Sequence, residues 1–483
     1  PYTIYYPESR VEDLRFMTTG EYGGVGASIQ VIHERHTIID VMPDFPAAKG
    51  GLKIGDVLLS IDGQSLEGMD KDLVPDLLQG ASGSKVAVTF LRYGAAESST
   101  VTLEREKIKL PAVPYRASIA DSTGYIILSQ FTRGSSHEVR QAIRYLRDSI
   151  GIKQLVLDLR GNGGGLLQES IGIVNLFVEK GQEVVSTRGK NPEWMKSYMT
   201  LQEPLVPDLP LAVLIDEHSA SASEIVAGTL QDLDRAVIVG QESFGKGLVQ
   251  QNKPLAYGTK LKITVAKYYT ASGRCIQRLD YGGKRSQDGG AQAVADSMIQ
   301  VFYTKNGRAV VDGKGVQPDV FVEIPLMSYV LEGLYGEGLL FDYANAWAAK
   351  HDSIASAQYF TWSDEDWNAF VDFAQDSEDF SYDSESRMIW NQLQETAKRE
   401  QYYLADTSAF SALNAVLAPN IDRELNQFRD EIQTALEQEI VLRYYLQLGV
   451  IEWLIPQDST LNKAISLLSS GDYQALLEGP HAP

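Results

Sequence analysis

The run Leu211–Ile215, LAVLI, is apolar at every position and passes straight into Asp216-Glu217-His218 and five small residues, Ser219-Ala220-Ser221-Ala222-Ser223. Such a run reads as a buried strand. A helical pattern follows from Glu224 to Leu233, then a second apolar strand, Ala236 to Gly240, and the turn Ser243-Phe244-Gly245-Lys246-Gly247. A strand-to-helix turn made of small residues suits a nucleophile. It lets a substrate backbone come close and aims the unpaired amides of the helix start at developing negative charge.

On local grounds Ser221 has a plainer role. Ser221-x-x-Glu224 ahead of an apolar run is a capping box, and Ser219 and Ser223 compete for any catalytic part. Lys246 changes the balance. Set between Gly245 and Gly247 beside Phe244, it is not a typical solvated lysine. A serine needs a base, and a free lysine, with a pKa of about 10.4, is almost wholly charged at neutral pH. An apolar pocket that lowers this value makes the amine usable. In a strand, Lys246, Leu248 and Gln250 share a face, so Gln250 is placed to orient the amine.

SASASEIVAG and VIVGQESFGKGLVQ, with a spacing of 25 from Ser221 to Lys246, closely resemble the C-terminal processing (tail-specific) serine peptidases. The resemblance implies a Ser-Lys dyad of Ser221 and Lys246, assisted by Gln250, and selects Ser221 among the three serines. It also implies an oxyanion site made by the Gly164 and Ala222 amides, on the order of 3–4 kcal/mol per donor. Asp158-Leu159-Arg160 is followed in that family by an Asn-Pro-Gly-Gly-like turn; Gly163 stands here where proline is usual, which implies a looser turn. Arg160-Gly161-Asn162-Gly163-Gly164-Gly165 fits neither the dinucleotide fingerprint nor a P-loop, so nucleotide binding is set aside.

Residues 21–107 read as a small β-rich domain. Pro46-Ala47-Ala48-Lys49-Gly50-Gly51-Leu52 followed by Ile54-Gly55-Asp56-Val57-Leu58 resembles a PDZ domain. The resemblance implies that Gly23, Gly24, Val25 and Gly26 hold a carboxylate through backbone amides, while the next strand pairs with the peptide. His33-x-x-His36 lacks a third ligand at suitable spacing and reads as a surface hairpin rather than a metal site. From 108 to 325 strands and helices alternate, as in an αβ peptidase core. Residues 326–483 show helical periodicity, with Ser363 and either Asp406 or Thr407 as N-caps. The expected fold class is therefore α/β and β multi-domain: a PDZ domain inserted before an αβ peptidase core, followed by an all-helical C-terminal domain. Residues 1–20 are expected to be the end of a truncated N-terminal helical region.

Composition narrows the partners. The 483 residues carry a net charge of −21, which argues against nucleic acid. About −18 of that charge lies in 326–483, where runs such as Asp376 to Asp379 read as solvated faces. Cys275 is the lone cysteine, so neither an intrachain disulfide nor a cysteine metal cluster is expected. No apolar run approaches the roughly 18 residues of a membrane span. The chain starts at Pro1 without an initiating Met and is read as processed or truncated, so a missing targeting segment carries little weight.

The reading reached is a serine endopeptidase that needs no metal or cofactor and cleaves proteins or peptides recognised by exposed C-terminal tails. The resemblance implies an extracytoplasmic, periplasmic setting. It leaves room for a homo-oligomer through the helical regions and for membrane association through a missing N-terminal segment. Two rivals stand beside it. A Ser-His-Asp hydrolase would have to use a histidine such as His218, only three residues before Ser221 and without a G-x-S-x-G elbow. A non-catalytic peptide-binding scaffold on the same fold is the other.

Overall fold

In the computed structural model, residues 2–8, 16, 18–286, 289–377, 380 and 382–479 are described. Parts of two expectations lie outside these residues: much of the N-terminal stretch 1–20, and the end of the acidic run Asp376 to Asp379. The described chain forms two compact units, Pro1–Tyr22 with Lys109–Ile324 and Gln457–Pro483, and Gly23–Ile108 with Pro325–Pro456.

In the first unit, the fully apolar runs become the middle of a sheet buried on both faces, as parallel strands require. Gln154–Asp158, Leu211–Ile215 and Val237–Gly240 are buried along their whole length. The six-stranded order is Tyr115–Ile119, Thr123–Ile127, Gln154–Asp158, Leu211–Ile215, Val237–Gly240, Val320–Phe321. The first pair is antiparallel and all the others are parallel. Parallel neighbours need crossovers, and these contain the helices Ser135–Arg144, Leu167–Val174 and Ala222–Asp232. Leu155, Leu157, Leu211, Val213 and Ile215 pack on one face into the core with Ile171, Val174, Ile225 and Leu230 of the helices. Three parallel strands thus end side by side at Asp158, Ile215 and Gly240, each releasing a loop at the carboxyl edge, where open α/β sheets place their sites.

Alternation sends Val156, Ala212, Leu214, Val237 and Val239 to the opposite face, and they too are buried. The helix Ser459–Ser469, with Leu461, Ala464 and Leu468 buried, packs against the strands that carry these residues. Arg160 bridges Asp158 and Asp458, with Nη2–Oδ2 separations of 2.6 Å to each, and the Tyr473 hydroxyl accepts the Leu211 N–H at 3.1 Å. The expectation of one helical domain over 326–483 is corrected here. From Gln457 on, the chain packs with the αβ core, because a sheet apolar on both faces needs a second cover.

A second sheet runs along the long strand Lys260–Thr270. Leu248–Pro254 pairs with it, as do Glu183–Arg188 at one end and Ile4–Tyr6 at the other. Within residues 1–20, expected to be helical, Ile4–Tyr6 is a strand, while Phe16, Thr18 and Thr19 are helical. Ile4-Tyr5-Tyr6, β-branched and aromatic, fits a pleated surface better than a helix, and Tyr6 is buried.

In the second unit, the antiparallel PDZ-type sheet has the order Ala27–Ile32, Arg35–Val41, Val57–Ile61, Lys85–Leu91, Ser99–Glu104. His33 and Glu34 are the left-handed residues of its first hairpin. The helices of Pro325–Pro456 bury Tyr343, Trp362, Trp367 and Phe370 among themselves. They also meet the PDZ sheet: His33 Nε2 lies 2.7 Å from Asp342 Oδ2, and a Cβ on Gly55 would stand 2.6 Å from Asn345 Oδ1. Ser363 caps Asp364–Gln375 with a reciprocal capping box, and Asp406 rather than Thr407 caps Thr407–Leu417.

Leu461→Ala tests the role of the last helices. It should cost about 2–5 kcal/mol by leaving a cavity. Hydrogen exchange should then show lost protection in Leu211–Ile215 and unchanged protection in Arg429–Leu454.

Candidate active site

The three serines of the small-residue run have different surroundings. Ser219 is fully buried; its Oγ donates to the Leu159 carbonyl at 2.8 Å and accepts the Asp216 N–H at 3.0 Å. Ser223 is also fully buried and donates to the Asn162 carbonyl at 2.8 Å. Both hydroxyls are thus turned inward and bonded to backbone carbonyls. Ser221 is partly exposed and sits at φ 55°, ψ −106°, a conformation that costs a non-glycine residue on the order of 1–3 kcal/mol. It immediately precedes the helix Ala222–Asp232, and the Tyr268 side chain lies in hydrogen-bonding contact with it. Burial pushes the Tyr268 hydroxyl up to about 12.

Glu224 joins Ser221 to the lysine loop. It is fully buried, and four donors converge on its carboxylate. Oε2 accepts the Ser221 N–H at 2.8 Å and the Lys246 N–H at 2.9 Å. Oε1 accepts the Ser243 hydroxyl at 2.6 Å and the Gly245 N–H at 2.7 Å. The capping box was visible in the sequence, but its second use, holding the backbone of the lysine loop, was not. Flanking bonds complete the clamp: Phe244 N–H donates to Ser219 O at 3.1 Å, Gly247 N–H to Gln277 Oε1 at 2.9 Å, and Tyr268 N–H to Gly247 O at 2.8 Å.

Lys246 is half-buried. Its burial, aided by the nearby positive charge of Lys262 and opposed by Glu224, holds its pKa below the ordinary lysine value. Its ammonium lies 4.8 Å from the centroid of the Tyr2 ring. Gln250 is in the adjoining strand, but its Nε2 is buried without a hydrogen-bond partner and does not engage Lys246.

The glycine loop packs directly on the serine turn. Gly164 has φ 98°, and a Cβ there would stand 2.9 Å from Ser221 Cβ and 2.6 Å from the Ala220 carbonyl oxygen, so no larger residue fits. Ala220 N–H donates to Asn162 O at 3.0 Å, and Asp216 accepts the Gly161 N–H at 3.0 Å. Of the two expected oxyanion donors, the Ala222 N–H has no protein acceptor among the described residues. The Gly164 N–H is engaged by Asn162 Oδ1 at 2.9 Å. Asn162 was not singled out from the sequence, although an asparagine two residues before the amide it caps is an Asx-turn pattern. His218, on the rival reading, is exposed beside Glu217 and is not bonded to Ser221.

The Gly23–Gly26 loop, expected to receive a carboxylate, lies in the other unit. Gly80 N–H donates to Gly23 O at 3.0 Å, and the carbonyls of Val25 and Gly26 accept from Ala47 and Met42 at 2.8 and 2.9 Å. The amides of Val25 and Gly26 have no acceptor among the described residues. The strand that follows, Ala27–Ile32, is paired on one side only, with Arg35–Val41. It is therefore an edge open to an added strand.

Residues 122–283 match the profile of peptidase family S41, residues 37–92 that of a PDZ domain, and residues 330–468 that of a probable PDZ-protease C-terminal helical domain. Residues 122–283 are thus similar to peptidase family S41. It is 38% identical over 280 residues to a carboxy-terminal-processing protease of Bartonella bacilliformis, covering 57% of this chain and 64% of that protein. It is 30% identical over 327 residues to a probable CtpA-like serine protease of Staphylococcus aureus, covering 67% of this chain and 58% of that protein. The chain thus spans somewhat less than two thirds of the length of these curated relatives. Among solved structures it is similar to a photosystem II D1 C-terminal processing protease, at 29% identity with a TM-score of 0.38, covering 67% of this chain and 78% of that one. It is also similar to the PDZ domain of a carboxy-terminal protease from Vibrio cholerae in complex with peptide, at 31% identity with a TM-score of 0.18, covering 19% of this chain and 99% of that one.

Among the described residues no group of three or more His, Cys, Asp or Glu side chains could hold a metal ion. No helix among the described residues is long and apolar enough to cross a membrane.

Glu224→Gln tests the clamp. Whichever way the amide turns, its NH₂ faces two of the four donors, at least one of them a backbone N–H. Leaving buried donors unpaired should cost about 2–4 kcal/mol in thermal or denaturant unfolding, with a loss of turnover larger than the loss of folded protein explains.

Proposed function

We propose that this chain is a serine endopeptidase in which Ser221 is the nucleophile and Lys246 the general base. The observation that carries the reading is the setting of Ser221. It alone among its neighbouring serines is accessible, it is held in a strained conformation beside the free Ala222 amide, and one buried carboxylate fastens its backbone to that of Lys246. Neutral Lys246 takes the Ser221 proton as Oγ attacks a peptide carbonyl, and later returns it to the leaving amine. Water then resolves the acyl-enzyme by the same route in reverse. The Ala222 amide stabilises the oxyanion, and Gly164 joins it once its N–H is released from Asn162. Gln250, whose amide lacks a partner at rest, is the residue to orient the amine during the proton transfers. No step calls for a metal or cofactor.

The substrates we propose are proteins or peptides with free, apolar C-terminal tails. A tail strand adds to the open edge of Ala27–Ile32, and its carboxylate is received by the amides of the Gly23, Gly24, Val25 and Gly26 loop. Holding the tail while Ser221 cuts elsewhere in the same chain raises the effective concentration of the scissile bond. The setting we propose is extracytoplasmic, in the periplasm, on family resemblance alone; cell fractionation tests it. Assembly into a homo-oligomer through helical regions and attachment to a membrane through a segment outside this sequence are further proposals on the same basis.

Ser221→Ala should reduce cleavage of an unfolded protein at least about 10³-fold, while Ser219→Ala and Ser223→Ala retain catalysis in whatever protein folds. Lys246→Arg should be as inactive as Lys246→Ala, since a guanidinium does not release its proton. For wild type the active base is the neutral amine, so activity is present above the Lys246 pKa and lost as pH falls through it. Because burial lowers that pKa, the limb should lie below the roughly 10.4 of a free lysine. Near-normal turnover in the arginine variant would rule out Lys246 as the base.

Amidating the substrate's C-terminus removes the charge that the loop amides would receive. The amidated form should be cleaved more slowly, mainly through a higher apparent KM. Equal rates for the free and amidated forms would take the PDZ loop out of substrate selection.

A further inference from the structure

Tyr2 and the strand Ile4–Tyr6 have no part in the mechanism above, yet they reach its base. The Lys246 ammonium makes no hydrogen bond or ion pair among the described residues; its one close polar-type contact is the face of the Tyr2 ring, at 4.8 Å. Tyr2 is itself fixed. Its ring stands edge-on to Tyr281, with centroids 5.9 Å apart at 81°, and the two hydroxyls are hydrogen-bonded. Two residues further on, Ile4, Tyr5 and Tyr6 pair in antiparallel register with Lys262, Leu261 and Lys260. Tyr6 is buried and anchors this short strand.

We propose that residues 2–6 form a strap that parks the catalytic lysine, and that the Tyr2 ring must leave the ammonium before Lys246 can act as a base. The negative face of an aromatic ring attracts a cation and has little hold on a neutral amine. Tyr2 therefore favours the form of Lys246 that cannot accept a proton. The other charged and titratable groups facing Lys246 are Lys262, which favours the neutral amine, and Glu224, which favours the cation; Tyr281 lies behind Tyr2. The strap thus adds to the Glu224 side of a contest that burial and Lys262 otherwise win. It is held by three residue pairs on one strand, so it can open locally without unfolding the core.

The proposal rests on Lys246 as general base, and two readouts on the full chain separate the two ideas. The first is competitive acetylation with acetic anhydride across pH, with Lys246 quantified by mass spectrometry; it requires no catalysis. Tyr2→Ala should raise Lys246 labelling about two- to five-fold at fixed pH and move its titration down by about half a unit, the range a surface cation–π contact supports. Lys253 should be unchanged as an internal control, and Tyr2→Phe, which keeps the ring, should label like wild type. The second readout is turnover of an unfolded protein with a free apolar tail below the alkaline limb, which should rise by a similar factor in Tyr2→Ala. Unchanged or reduced labelling of Lys246 in Tyr2→Ala overturns the strap. So does increased labelling with reduced turnover, which would make Tyr2 a support of the active base. Increased labelling with no Ser221-dependent turnover in either protein leaves the strap standing and overturns the peptidase reading.

Discussion

The site depends on one buried carboxylate. Glu224 has no exposed surface, and burial alone pushes its carboxyl above the usual carboxylate range. Removing an ion from water costs several kcal/mol unless its lone pairs are satisfied. Four donors converge here on two oxygens, and the positive end of the helix Ala222–Asp232 adds a favourable field. The Ser221 and Lys246 amides share a single oxygen. The placement of Ser221 relative to Lys246 is thus set by backbone bonds to a common acceptor, and the two side chains need not touch at rest to be held in register.

Strain and anchoring go together in the same place. Ser221 occupies a conformation that a serine avoids, and it stays there because the turn around it is over-determined. Ser219 and Ser223 are bonded inward, Asp216 gathers the turn amides, and the Glu224 clamp fixes Ser221 itself. The glycine loop adds a third layer. Asn162 uses every part of its side chain and carbonyl: Nδ2 donates to Leu128 O at 2.6 Å, Oδ1 holds Gly164 N–H, and its carbonyl receives Ala220 and Ser223. The looser turn implied by Gly163 in place of proline is offset by these bonds, which fasten Asn162 from several directions.

Much of this was legible in the sequence because it is written in local pattern. Strands apolar at every position, glycines at turns and a capping box all report on near neighbours in the chain. The PDZ-like segment and the αβ core were readable for the same reason. What was not legible depends on pairs far apart in sequence. Tyr2 meets Lys246, and Arg160 meets Asp458, with nothing in either segment to announce the partner. The strand Ile4–Tyr6 was hidden by its brevity: three residues have too few positions to show a period of two against a period of 3.6. The split of the helical region was hidden because Ser459–Ser469 has the same amphipathic pattern as the helices before it. Periodicity states that a face is buried, not against what.

That split follows from the core sheet. Parallel strands apolar on both faces need a layer on each side, and the crossover helices that join Thr123–Ile127, Gln154–Asp158, Leu211–Ile215 and Val237–Gly240 contribute to the Ile225 and Leu230 side. A right-handed crossover between successive parallel strands keeps its helix on one face as long as the strand order runs in one direction, as it does here. The other face must then be closed by a segment outside the strand–helix alternation. The chain supplies it after Gln457, having first built the helices of Pro325–Pro456, which pack with the PDZ-type sheet instead. Arg160 fixes the register of this late cover, since the guanidinium that reaches Asp458 also holds Asp158 at the end of the central strand, immediately before the glycine loop. The helices that follow Asp458 are therefore bonded to the base of the loop that packs against Ser221, and the covering of the sheet and the shape of the site are held by the same ion pair.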